Sequence, residues 1–379
     1  MRILLAIPCL ERGGTEMQTL YLAKSLLEAG HSVDVVCYFE IDQSVVDEFV
    51  ECGCGVDLLR LDRGLSSTGF VRLMRAYYRR FRPDVLHVQY MTPGALSILA
   101  ARLAGVPNLL ATVHQPYTSA HGSTARKLLR FSALLCDRFV AVSMAAEASW
   151  FGTSNDCAAL TGRKGPRHCT IYNAVDTKLV ASLSDRGQAS LFRERYRLGS
   201  TYVFGYIGRL SHEKGVDILI RAFGMVASRN KGVSLLIVGD GSEAAAVQKR
   251  FGHEEWWGGI VFAGNQSWRE AMRHLSVIDS LVVPSRFEGF GLSAVEAMAA
   301  TRPVIAARTG GLTEIVCHGT SGFLYDTEDV AALAELMGLL AGDEQLSRQM
   351  SANARERSLD FDVELYSRKI QKLYASCKP

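Results

Sequence analysis

Two glutamates, Glu288 and Glu296, stand eight positions apart in the stretch Ser285-Arg-Phe-Glu-Gly-Phe-Gly-Leu-Ser-Ala-Val-Glu-Ala-Met-Ala299. The first falls in a glycine-aromatic-glycine turn, the second on a segment with helical patterning. A carboxylate accepts from two adjacent hydroxyls at once, as on a ribose, so Glu296 suits a nucleoside and Glu288 the hydroxyls of a second sugar. Gly289 and Gly291 let the backbone approach a ligand closely and aim N–H groups at it. Taken singly, Glu296 is also a favourable charge near a helix N-terminus, with Ser293 as its expected cap, and Glu288 a solvated turn residue.

A second group is Gly208-Arg209-Leu210-Ser-His-Glu213-Lys214-Gly215. Arg209 and Lys214 are expected to leave one loop toward a strand end and the N-terminus of the next helix. Two cations beside free backbone N–H groups form an anion site, and a diphosphate matches their charge better than a lone carboxylate. The alternative is a solvated loop in which Glu213 neutralises one cation. His114 closes the apolar run LLATVH. A histidine there can donate to a hydroxyl or a developing charge, or it is a structural residue.

These groups need elements to hold them. Residues 2–10 read as a buried strand that enters the loop ERGGTE, and a helix follows from about Thr15 to Ala29. Phe70, Leu73, Met74, Tyr77, Tyr78 and Phe81 recur at the spacing of a core-facing helical stripe, which Arg82-Pro83 ends. Strands DVLHVQY, LLATVH and RFVAVS alternate with further helices. The chain turns polar from Thr177 to Ser200, and a second alternation then runs through YVFGYIG, SLLIVGDG, IVFAG, SLVVPS and PVIAA. Such alternation predicts parallel sheets covered on both faces. The expected domains are 1–185, joined by a returning helix in 361–379, and 186–360. Two doubly wound α/β domains facing a cleft take ligands at the carboxyl ends of their strands.

The 379 residues suffice for two cores. Forty-two basic side chains against 39 acidic leave +3, too little for a nucleic-acid partner. No apolar run reaches the ~18 residues of a membrane span. The start MRILLAIPCLERGG has no small-residue cleavage site and reads as a strand rather than a signal peptide. Nine scattered cysteines predict free thiols in a reducing compartment, hence a cytoplasmic protein, and Cys52-Gly-Cys54 has no partner pair at zinc spacing.

The pieces Gly13-Gly14-Thr15-Glu16, His114, Tyr172-Asn-Ala-Val-Asp176, Gly208-Arg-Leu210 with Lys214-Gly215, and Glu288-Gly-Phe-Gly-Leu-Ser-Ala-Val-Glu296 occur in that order. In them the chain resembles, nearly end to end, the family-4 retaining glycosyltransferases of GT-B fold. The resemblance implies that Arg209 and Lys214 bind the donor diphosphate and stabilise it as it leaves. It places Glu288, with backbone groups of Phe290 and Gly291 and the adjoining Leu292, on the donor sugar. Glu296 falls on the nucleotide ribose, His114 near the reacting sugar, and Gly14 where the first loop approaches the phosphates. It implies a nucleotide-sugar donor, UDP- or GDP-linked, a glycan or lipid-linked hydroxyl acceptor, no cofactor and no metal. Peripheral contact with the inner face of the cytoplasmic membrane belongs to the same expectation. The base is expected near Phe262-Ala263-Gly264. Competing readings are a tandem-Rossmann NAD-dependent oxidoreductase and a non-catalytic nucleotide-sugar scaffold.

The family often has glycine where this chain has Ala174 and Thr301, which bears on loop conformation. The segment Thr153–His168 carries Arg163, Lys164, Arg167 and His168, readable first as a solvated loop and otherwise as a contact for an anionic acceptor or a membrane surface. Arg72, Arg75 and Arg79 read as the solvated side of their helix. Asp360-Phe-Asp362 mimics a metal-binding Asp-x-Asp but precedes the terminal helix, where capping explains it. Gly239-Asp-Gly241 lacks the third glycine of a dinucleotide fingerprint, and Asp34 opens its strand, where it is out of reach of a ribose.

Overall fold

The computed structural model describes residues 1–91, 93–157 and 167–377. Two units divide the chain: 1–174 with 363–379, and 175–362.

In the first unit the strands are β1 (Arg2–Ile7), β2 (Ser32–Cys37), β3 (Gly55–Leu58), β4 (Val85–Tyr90), β5 (Asn108–Val113), β6 (Arg138–Ala141) and β7 (His168–Thr170). They pair in parallel in the order β3-β2-β1-β4-β5-β6-β7. Between them run α1 (Gly14–Glu28), α2 (Gln43–Glu51), α3 (Ser67–Phe81), α4 (Gly94–Ala104), α5 (Gly122–Leu135) and α6 (Met144–Phe151). Strand side chains alternate between faces. Ile3, Leu5 and Ile7 pack with α1 and α2, while Leu4 and Ala6 pack with α3 and α4. Both faces are therefore apolar, as the continuous run in β1 requires.

The helix expected from the stripe Phe70 to Phe81 forms as α3. Ser66 Oγ accepts from Gly69 N–H at 3.1 Å, and Arg82 ends the helix at φ +53° ahead of Pro83. Phe70, Met74, Tyr77 and Tyr78 are buried, and Leu73, expected with them, instead faces outward at 37% exposure.

The second unit holds α7 (Thr177–Leu183), α8 (Ala189–Arg195), β8 (Tyr202–Ile207), α9 (Val216–Ala227), β9 (Val233–Val238), α10 (Ala244–Phe251) and β10 (Ile260–Gly264). Next come α11 (Trp268–His274), β11 (Ser280–Val283), α12 (Leu292–Ala299), β12 (Val304–Ala307), α13 (Leu312–Ile315) and β13 (Gly322–Tyr325). The unit closes with α14 (Val330–Gly342) and α15 (Glu344–Ser358). Its parallel order is β10-β9-β8-β11-β12-β13. The units change at Ala174/Val175, ahead of the boundary expected after 185, because α7 packs on α11 and α12 of the second unit. Polar composition marked the linker but did not report which core a short helix joins.

The last helix, α16 (Val363–Ala375), returns to the first unit and packs on α1. Its Tyr374 hydroxyl lies 2.6 Å from Nδ1 of the buried His87, whose Nε2 is 2.7 Å from Thr112 Oγ1. Burial, with the nearby His114, pushes the His87 pKa down to about 3, so the ring is a neutral hydrogen-bonding strut. Tyr374→Phe leaves one buried ring nitrogen unpaired. It should cost about 1–3 kcal/mol, read as a lower urea midpoint.

Asp362 accepts from Thr177 N–H and Oγ1, so the Asp-x-Asp look-alike is a structural tie within the second unit. The free-thiol expectation fails for one pair. Cys157 and Cys169 are joined as a disulfide with Cα atoms 5.1 Å apart, where Thr170 N–H donates to Asn155 O and aligns the two segments. Arg163 and Lys164 lie outside the described residues. His168 is not a loop residue: it opens β7, stacks on Phe151 and bonds Glu147.

Candidate active site

In an open parallel sheet the loops at the carboxyl ends of the strands diverge where the strand order reverses. In the second unit that point lies between β8 and β11, which pair through Phe204–Ser280 and Gly205–Leu281. The loop after β8 carries Arg209 and Lys214, and the loop after β11 carries Glu288. Strand pairing thus makes neighbours of two motifs more than seventy residues apart: Lys214 Nζ donates to Glu288 Oε2 at 2.9 Å, and Ser285 Oγ to the same oxygen at 3.0 Å. The cation that sequence reasoning would pair with Glu213 is held by Glu288. Arg209 stands exposed, in no ion pair among the described residues, while its carbonyl accepts from Tyr206 Oη at 2.7 Å.

Arg286, which sequence reasoning did not single out, ties these loops together. Its guanidinium meets Asp217 in two bonds of 2.8 and 2.9 Å, reaches Glu328, and donates to His212 O at 2.6 Å. Its backbone N–H donates to Glu213 O at 2.8 Å. Partial burial pushes the Asp217 carboxyl up, but the Arg286 bonds and charge outweigh it and hold it below the usual range. The residues on both sides of Lys214 are fixed by this bidentate fork.

Gly291 of the β11 loop and Gly310 after β12 are required by left-handed backbone and by crowding. Gly291 sits at φ +114°, and a Cβ there would come 2.6 Å from Leu312 Cδ2. Gly310, after β12, sits at φ +49° beneath the Glu288 carbonyl, where a Cβ would come within 1.8 Å of that oxygen. Gly310→Ala must push the Glu288 backbone away. It should lower donor turnover at least about tenfold while circular dichroism stays that of the folded chain. Phe290 is buried and turns its ring inward against Phe361, centroids 5.6 Å apart. Gly291, not Ser293, occupies the N-cap of α12, and Leu292, half-buried, is its first residue. Thr301 does occupy a left-handed turn, φ +62°, a conformation glycine adopts without strain, whereas Ala174 needs no such conformation.

Glu296, half-buried on α12, accepts from Trp268 Nε1 at 2.7 Å, a partner with no sequence signal. Burial pushes its carboxyl up to about 7, against the lowering pull of the indole N–H. Beyond the β8 loop, an open hollow of about 230 Å³ is lined by Leu210, Gly239, Asp240, Gln248, Phe262 and Gly264. It lies at the segment expected to receive a base, and Phe262 offers it a ring 37% exposed.

In the first unit, Gly14 is the first residue of α1 and His114 follows β5. His114 Nε2 lies 2.7 Å from Gln89 Oε1, which accepts its N–H. Burial lowers its pKa to about 4, so the imidazole is neutral. Gln18 of α1, Gln89, Asn173 and Tyr366 line a water-sized cavity with it. Gln18 also bonds both the carbonyl and the N–H of Ala174, at 2.7 and 2.8 Å.

Two Rossmann-like parallel-sheet units, with a lysine–glutamate pair at the strand-order reversal of the second, define the GT-B glycosyltransferase architecture. The family model for Glycosyltransferase Family 4 matches residues 12–179, and that for Glycosyl transferases group 1 matches 190–357. The chain belongs to the family-4 glycosyltransferases. It is 28% identical over 307 residues to an uncharacterized glycosyltransferase of Methanocaldococcus jannaschii, covering 77% of this chain and 75% of that one. It is 25% identical to the glycogen synthase of Mycobacterium tuberculosis, over 100% of this chain and 95% of the other. Anabaena HepE, solved in complex with UDP, shares the fold at a TM-score of 0.81 and 23% identity, covering 99% of this chain and 100% of that one. These matches set aside the oxidoreductase reading.

Proposed function

We propose that the chain transfers a hexose-type sugar, with retention at the anomeric carbon and without a metal ion, from a UDP- or GDP-linked donor to a hydroxyl acceptor. The acceptor is a glycan or lipid-linked glycan of cell-surface polysaccharide, lipopolysaccharide or glycolipid synthesis. The Lys214–Glu288 contact carries this reading, because it joins a phosphate-type cation to a sugar-type carboxylate at the mouth of one sheet. Support comes from relatives: HepE is solved with UDP-glucose, and a GDP-mannose-dependent phosphatidylinositol monomannoside mannosyltransferase of Mycobacterium tuberculosis is 27% identical over 72% of this chain.

On donor binding Lys214 turns from Glu288 to the diphosphate, joined by the exposed Arg209, and Glu288 is released to accept from sugar hydroxyls. The anomeric C–O bond breaks with its electron pair passing to the diphosphate, whose growing charge the two cations stabilise. The acceptor oxygen bonds to the anomeric carbon from the same face, and its proton passes to the departing phosphate oxygen. Because two cations neutralise the leaving group, the reading requires no metal.

The test is incubation with UDP-glucose and GDP-mannose in excess chelator, following nucleoside diphosphate release and the anomeric coupling of the released or transferred sugar by proton NMR. Metal-independent cleavage with the α configuration kept is expected. Inversion, or turnover that stops with chelator, would sink the mechanism.

A further inference from the structure

Helix α2 stops in a turn that sets two thiols side by side. Gly53 takes φ +99° and its N–H donates to Val50 O at 2.9 Å, while the next N–H, of Cys54, donates to Phe49 O at 3.0 Å. These crossed bonds are a glycine helix stop, and the residues flanking the glycine meet across it: Cys52 Sγ lies 3.6 Å from Cys54 Sγ. The two thiols are not equivalent. Cys54 is buried in the core around β1, β2 and α2, whereas Cys52 is half-buried at its edge. Glu51 and Gly53, its neighbours, are exposed, so a small molecule has access from the solvent side. The bond from the Cys54 thiol lowers the pKa of Cys52, and the backbone at Cys54 and the Lys24 ammonium act the same way, together outweighing burial. That same bond, with burial and the nearby Asp34, raises Cys54. By contrast, burial pushes the Cys37 thiol up to about 12, and burial with Glu40 pushes Cys9 up to about 11. A structural pair would also plug the helix end, since Cys52 as a thiol donates to Phe49 O at 3.1 Å. That carbonyl already accepts the Cys54 N–H, so it keeps a partner when Cys52 ionises.

We propose that Cys52 and Cys54 form a thiol–disulfide exchange site, Cys52 attacking and Cys54 resolving, whose co-reactant is a low-molecular-weight disulfide. The Cys52 thiolate bonds to one sulfur of the co-reactant, whose S–S bond breaks and whose other half leaves as a thiolate, taking up the proton that Cys52 lost. Cys54 then gives up its proton and attacks Cys52 Sγ. The mixed disulfide breaks, and the second half leaves with that proton as a thiol. Two protein thiols lose two electrons in all, and one small disulfide is reduced to two thiols. Closure asks the sulfurs to approach from 3.6 Å to the roughly 2.05 Å of a disulfide. The inference concerns the first unit alone and does not depend on the donor chemistry of the second.

The experiment incubates the reduced full chain with oxidised glutathione at neutral pH, quenches with acid, and locates each modified cysteine by alkylation and peptide mass spectrometry. Cys52 and Cys54 should become joined to each other without retaining glutathione, and should reopen with dithiothreitol. This should run ahead of modification of the exposed Cys317, the internal reference. Cys54→Ser should trap glutathione on Cys52, about threefold or more faster than on Cys317. Cys52→Ser should leave the buried Cys54 unmodified. Thermal melts report that the variants are folded, and Cys54→Ala repeats the trap without placing a hydroxyl in the core. If both thiols stay unmodified while Cys317 reacts, the pair is a structural helix stop and the proposal is overturned. Glutathione retained on wild-type Cys52, or modification of Cys54 in Cys52→Ser, overturns it as well.

Discussion

Lys214→Ala should lower the rate of donor cleavage by about 10²–10³-fold, the usual loss when one group aimed at developing charge is removed. The substitution acts twice. It takes a cation from the leaving diphosphate, and it strands Glu288, which then has only Ser285 Oγ from the pair of contacts at Oε2. Two effects on one ligand do not add, so Lys214→Ala with Arg209→Ala should fall short of the product of the single losses. Lys214→Arg discriminates further, since it restores charge but not the compact ammonium at 2.9 Å from Glu288. It should recover nucleotide affinity more than turnover. Initial rates at saturating donor, with affinity from calorimetry, separate the two.

Glu296→Gln should abolish a pH dependence of nucleotide binding. The wild-type carboxyl is raised to about 7 by burial. Two ribose hydroxyls donating to the carboxylate would favour its ionised form, so binding near pH 6.5 must expel a proton. Affinity should therefore climb with pH below 7, by up to about tenfold per unit, and level off above. Calorimetry in buffers of different ionisation enthalpy reads the released proton directly, and the Gln variant should release none at this site. The stability signature has a definite sign. A carboxyl whose folded pKa exceeds its unfolded one contributes stability that is present below about 4.5 and is lost as pH rises through about 7. The melting temperature of Glu296→Gln should gain on wild type across that window and run parallel to it on either side.

Much of this was legible in the residues, and for stated reasons. Buried parallel strands must be largely apolar on both faces, so β1, β5 and β9 announced themselves by the consecutive apolar residues ILLAI, LLA and LLIV. The order of strand, helix and strand then fixed which loops sit at carboxyl ends, and so which of the scattered Glu, Lys and Arg residues could meet. What escaped were partnerships set by three-dimensional register. Arg286 lies inside the stretch that drew attention first, yet its purpose depends on Asp217 and Glu328, brought to it by α9 and the loop after β13. Trp268 carried no signal because its value to Glu296 is a single indole N–H. Gly310 drew no reading from the sequence, because its closeness to the Glu288 carbonyl is a fact of packing between adjacent strand ends. Similarly, Leu73 fitted the helical stripe of α3 by spacing, and only the width of the buried face shows it left outside.

The central claim is that the loops after β8 and β11 form one site for a nucleoside diphosphate sugar. It is tested most directly by calorimetric titration of UDP and GDP into wild type and the Arg209→Ala/Lys214→Ala double variant. One of the two nucleotides should bind wild type at a single site, and the double variant should bind it at least about a hundredfold more weakly. Undiminished binding by the double variant would contradict it.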